Sequence, residues 1–98
     1  MGDFGDLYVS GGMGIVLISR TVTSTSSPWA TIISASLPCG VAPSAISRAA
    51  LSVDEHGDFP VVAVASPGGT VAIHNRGSKT LDFGGGCQVY GQVAFPLA

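Results

Sequence analysis

Apolar and polar residues alternate along most of this chain with a period of two, the pattern of strands that bury one face. The densest run, Gly14–Thr23 (GIVLISRTVT), is rich in β-branched residues; Val16, Ile18 and Val22 share a face that Arg20 interrupts at a rim. Before it, Leu7–Ser10 is a short strand stopped by Gly11-Gly12 and preceded by a flexible lead-in over residues 1–6. After it, Ser24–Pro28 is a hydroxyl-rich loop, and Trp29–Leu37 is a strand closed by Pro38, Gly40 and Pro43. Ile46–Val53 turns Ala49, Leu51 and Val53 to one side. Its approach, Pro43–Leu51, is the one stretch where a short helix competes, and the continuation into Val53 favours a strand.

The second half repeats the pattern. Asp54–Asp58 is a polar hairpin tip between two apolar runs, followed by the strand Phe59–Ala65. Pro67-Gly68-Gly69 turns the chain into Thr70–His74, and Asn75–Lys79 is a further turn before Thr80–Phe83. The last strand, Gln88–Phe95, puts Val89, Gly91, Val93 and Phe95 on one face and Tyr90, Gln92 and Ala94 on the other. About eight short strands with turn chemistry between them, and no sustained helical period, predict an all-β domain. The architecture expected is an antiparallel β-sandwich, jelly-roll-like, occupying residues 7–98 as a single domain.

Charge narrows the function classes. Only 10% of the 98 residues are charged, against about 25% in a typical domain. The net charge of −2 lacks the basic footprint of a nucleic-acid binder. No apolar run is long enough to cross a bilayer as a helix, and no membrane insertion is expected. So neutral a chain must either expose polar and apolar surface or bury it against copies of itself.

Candidate chemistry is sparse. His56, His74, Cys39 and Cys87 lack the paired spacings of a zinc site, and no metal or cofactor is expected. No G-x-S-x-G or protease cysteine signature occurs, so the chain reads as no enzyme. Cys39 and Cys87 permit one bridge, or remain two small thiols. Trp29 and Tyr90 are the best platforms for stacking a sugar ring; alternatively Trp29 plugs one end of the sandwich and Tyr90 lines a subunit interface. Arg48, Arg76, Asp58 and Asp82 would add directional hydrogen bonds if a glycan sits nearby. Asp54, Glu55, His56 and Asp58, clustered in one turn, are either a solvated tip or a place for a hydroxylated ligand or Ca²⁺, without the twelve-residue spacing of an EF-hand.

Three pieces carry a resemblance. Leu37-Pro38-Cys39-Gly40-Val41-Ala42-Pro43 is similar to an L-P-x-G-φ-x-P turn; Gly69-Thr70-Val71-Ala72-Ile73 follows as a G-x-V-x-I strand; Tyr90-Gly91-Gln92-Val93-Ala94-Phe95-Pro96 closes as Y-G-x-φ-x-F-P. In this order, within Gly14–Ala98, they resemble the C-terminal receptor-binding head domains of tailed-bacteriophage tail-fibre proteins. Val41 stands where an aromatic is usual and Ala42 where Arg is frequent, and the two cysteines are atypical. The resemblance implies a homotrimeric tip at the end of a virion tail, outside the cell. There it would bind a host-surface glycan or protein and adjoin other tail proteins. It also implies that the chain is an excised C-terminal domain or a small accessory subunit. Two other readings stay open: a virion decoration protein that touches only other virion subunits, and a cellular C1q-like or carbohydrate-binding jelly roll.

Overall fold

The computed structural model describes residues 4–54 and 56–98. Met1–Asp3, the start of the expected lead-in, and Glu55 of the Asp54–Asp58 cluster lie outside the described residues. Ten strands form, and no helix, among the described residues. In chain order they are β1 (Gly5–Ser10), β2 (Met13–Val22), β3 (Thr25–Ser26), β4 (Thr31–Ser36) and β5 (Ser47–Ala50). Then come β6 (Ser52–Val53), β7 (Val61–Ser66), β8 (Thr70–Asn75), β9 (Leu81–Asp82) and β10 (Cys87–Pro96). A front sheet has the order β1-β2-β10-β6 and a back sheet β4-β8-β7-β5, while β3 and β9 pair separately. Every strand pairing is antiparallel.

The two four-stranded sheets pack face to face, so the chain is the antiparallel β-sandwich that the alternation predicts. Val16, Ile18, Val89, Val93 and Phe95 line the core from the front sheet; Val61, Ala63, Ala65, Val71 and Ile73 line it from the back. Burying each large side chain here contributes about 1.5–3 kcal/mol, which is what holds two such neutral sheets together. Gly14 faces Phe95 across β2 and β10. The phenyl ring lies over it so closely that a Cβ would stand 2.4 Å from a ring carbon.

Four elements differ from the sequence expectation. The lead-in is already structured at Phe4, which is buried in the core, and Gly5 and Asp6 pair with Ile18 and Leu17. Burial of the phenyl side chain draws the chain into the sheet earlier than the alternation starts. Within the expected Ser24–Pro28 loop, Thr25 and Ser26 pair with Asp82 and Leu81. The expected strand Ile46–Val53 divides at Leu51: Ala50 still pairs with Val62 of the back sheet, but Ser52 and Val53 pair with Tyr90 and Val89 of the front sheet. Leu51 is the buried corner of this crossing, and its side chain occupies the space that a Cβ on Gly91 would need, 2.7 Å from Leu51 Cδ2. Consequently Asp54–Asp58 is no hairpin tip; it carries the chain from the front sheet to the back.

The loops gather at two ends. At one, the Leu37–Ser44 turn docks on the C-terminal segment: Ser44 N–H donates to Pro96 O (2.8 Å), Ala98 N–H to Ala42 O (2.9 Å), and Pro43 bridges Leu97. Leu37 N–H also donates to Gly69 O (2.7 Å), so all three motif segments meet here as scaffold. The other end collects the β2–β3, β3–β4, β6–β7, β8–β9 and β9–β10 connections.

Candidate ligand-binding site

Hydrogen bonds of the backbone and of one buried amide tie three of those loops into a single surface. Asn75, at the end of β8, is fully buried. Its Nδ2 donates to Ser27 O (3.0 Å) and Lys79 O (2.9 Å), while its Oδ1 accepts from Gly77 N–H (3.0 Å). The last bond is an Asx-turn, the local geometry that Asn favours at a chain reversal. Arg76 N–H donates to Pro60 O (2.9 Å), and Trp29 N–H to Gly77 O (3.3 Å). The β8–β9 loop is thereby joined to the β3–β4 and β6–β7 loops.

Trp29 is the most exposed large apolar side chain among the described residues, at 63%. It is also their only non-glycine residue with a positive φ, 59°. A bulky residue in that left-handed region costs on the order of 1–2 kcal/mol. Burial does not repay this, because the indole stands in solvent. The expectation that Trp29 plugs the sandwich is therefore corrected: the end is closed by Phe83, buried, with Phe59 packed edge-on against it at 5.4 Å. His56 stacks on Phe59, centroids 4.3 Å apart and 11° from parallel. Beside that stack lies a cleft of about 330 Å³ lined by Asp58, Phe59, Pro60, Gly77, Lys79 and Leu81, among others.

Charge is concentrated at this end. Asp54, Asp58, Arg76, Lys79 and Asp82 lie in or beside its loops, half of the ten charged residues of the chain. Asp82 Oδ1 accepts from Gly84 N–H at 2.8 Å, which fixes the turn into β10. His74 sits just inside the rim, where its Nδ1 meets Thr31 Oγ1 at 3.1 Å. Desolvation, and secondarily the Arg76 guanidinium, hold its imidazole below the ordinary value.

Of the residues singled out from the sequence for ligand binding, the structure brings Trp29, His56, Asp58, Arg76 and Asp82 to this one end. Tyr90 and Arg48 are elsewhere: Tyr90 projects from the outward face of the front sheet between Ser19 and Ser52, and Arg48 from the opposite sheet, paired with Val64. Sequence reasoning missed Phe59, Lys79 and Asn75. For Asn75 a signal existed, since Asn two residues before Gly is an Asx-turn pattern. Nothing local marks Phe59 as a stacking partner.

Cys87 is buried, its thiol donating to Phe83 O at 3.2 Å, and starts β10 at this end; Cys39 is exposed in the turn at the opposite end. Both thiols are free. The chain matches no protein-family model, no curated protein and no solved structure.

Proposed function

We propose that the chain is a non-enzymatic adhesion module whose loop end binds a hydroxylated receptor, a glycan, on a bacterial surface. Its setting in this reading is the homotrimeric tip of a bacteriophage tail fibre, on the virion and outside the cell, next to other tail proteins. The observation that carries the proposal is Trp29: an indole left in solvent on a backbone conformation that costs energy, bonded through its backbone N–H to Gly77 at the edge of a cleft that Asp58 and Lys79 help to line. Strain of that kind persists where function requires the side chain in place. An indole face stacks on the apolar face of a pyranose, and Asp58, Lys79 and Arg76 supply charge-assisted hydrogen bonds to its hydroxyls. Individually weak contacts of this type gain from multivalency when several copies act together.

Trp29→Gly isolates the ring from the fold, because glycine adopts the same φ without strain. On an array of bacterial surface glycans, the wild-type chain binds a defined subset, and the variant loses that binding while its strand circular dichroism is unchanged. Equal binding by both proteins, or no binding by the wild type to the array or to bacterial cells, refutes the reading.

A further inference from the structure

The outward faces of the two sheets differ in a way that the loop end does not explain. On the back sheet the outward positions are small, hydroxylated or valine: Thr31, Ser34, Ala50, Val62, Val64, Ser66 and Ala72, with Arg48 and His74. On the front sheet, cross-strand register aligns Tyr8 with Ile15 and Ala94, Ser10 with Met13 and Pro96, and Ser19 with Tyr90. Leu17 lies between Asp6 and Gln92. Four of the seven large apolar side chains exposed among the described residues, Tyr8, Met13, Leu17 and Tyr90, are therefore on one face. Tyr8 is 56% exposed and Leu17, at the centre, 39%. Among the described residues, Asp6 is the single charged one on it.

We infer that this outward face of the front sheet is where copies of the chain meet, with Leu17, Tyr8 and Tyr90 buried between them. The size fits. The six, ten, ten and two residues of β1, β2, β10 and β6, at about 3.3 Å per residue and a strand spacing of about 4.8 Å, give roughly 440 Å² in projection. That is about a tenth of the 5137 Å² surface of the chain, the share that a standard interface takes from a small protein. Side-chain relief adds to it, and two such faces reach about 1,000 Å² or more, where specific association begins. The chemistry fits a copy of the same chain. A face with one marginal carboxylate offers no charge pattern to select a different partner, and its apolar rows complement themselves, as symmetric contacts require. Used whole by one neighbour around a twofold axis, or shared between two around a threefold axis, it buries the same area per chain. The inference stands apart from the glycan reading, since it uses none of the loop residues.

Light scattering on the full chain, with Leu17→Glu on the front face and Val64→Glu on the back, tests it. The expected result is a wild-type mass of two or three chains, a single-chain mass for Leu17→Glu with unchanged strand circular dichroism, and wild-type mass for Val64→Glu. If Leu17→Glu unfolds, Gln92→Glu, exposed on the neighbouring strand, replaces it and is expected to dissociate as well. A wild-type monomer overturns the inference, including one that associates only with another virion protein. So does dissociation by Val64→Glu with no effect of the front-face variants. A dimer supports the interface while removing the homotrimer from the proposed function. Absence of glycan binding by an intact oligomer removes the receptor reading and leaves the interface standing.

Discussion

Asn75→Ala removes the one side chain that clips the loop end together, and its cost follows from the bonds it makes. The amide is fully buried and makes three hydrogen bonds, to Ser27 O, Lys79 O and from Gly77 N–H, at 2.9–3.0 Å. A net contribution of about 1 kcal/mol each gives about 3 kcal/mol. Partial access of water to the freed backbone groups of the exposed Ser27 and Lys79 keeps the loss from going much higher. At about 4–8 °C per kcal/mol for a chain of this length, the midpoint of thermal unfolding falls by roughly 12–24 °C. Urea titration followed by far-ultraviolet circular dichroism measures the free energy directly. Trp29, the only tryptophan, gives a second signal from the clipped loops themselves. Asn75→Asp keeps an acceptor for Gly77 N–H but turns a carboxylate oxygen toward two carbonyls, so it is expected to lose at least as much near neutral pH. A loss below about 1 kcal/mol for Asn75→Ala would refute the assignment, because the three bonds would then be replaced by water at no net cost.

Two further outcomes follow from particular contacts. Desolvation and Arg76 lower the His74 pKa in the folded chain, so between that value and 6.5 the unfolded chain binds the proton first and stability rises with pH. Acidification through that window therefore destabilises the wild type, and His74→Gln flattens the slope seen in unfolding at several pH values; an unchanged slope would exclude His74 as its source. Gly14→Ala forces a Cβ to within 2.4 Å of the Phe95 ring and is expected to cost about 1–3 kcal/mol through overpacking. The control Gly85→Ala meets nothing within 4 Å and should stay within about 0.5 kcal/mol of wild type. Equal stabilities of the two variants by urea titration would show that the ring gives way freely.

The proposed ligand site and the inferred interface occupy different parts of the surface. Charge and the strained indole are at the loop end. The outward face of the front sheet sets exposed Tyr8, Met13, Leu17 and Tyr90 among serine, threonine and glutamine with almost no charge, and that of the back sheet carries small, hydroxylated and valine side chains with Arg48 and His74. A chain with so few charged residues has placed half of them where five connections converge. This separation lets the proposed receptor binding and the inferred self-association be tested one at a time, by Trp29→Gly and by Leu17→Glu.

Alternation along the chain determined the class of fold and the facing of most strands. Val16, Ile18 and Val22, and Val89, Val93 and Phe95, point inward as their period of two requires. The Pro67–Gly69 turn makes its hairpin, with Ser66 opposite Thr70. Such features are local: a strand's two faces and a tight turn are set by residues within a few positions of one another. Which sheet a strand joins is not local. Leu51 reads as one more inward residue of a continuous strand, yet it is the corner where the chain changes sheets, because Val62 competes for Ala50 and Tyr90 for Ser52. The same crossing turned the Asp54–Asp58 hairpin tip into a connection between layers. Tyr90 and Arg48 looked like members of one site with Trp29 because residue type says nothing of distance; cross-strand pairing put them on opposite sheets. Asn75, Phe59 and Lys79 acquire their roles only once loops from separate parts of the sequence close over the same end. Period-two hydrophobicity specifies which face of a strand avoids water, whereas pairing and loop closure are decided by the best simultaneous burial of all the strands, and only the folded chain expresses that choice.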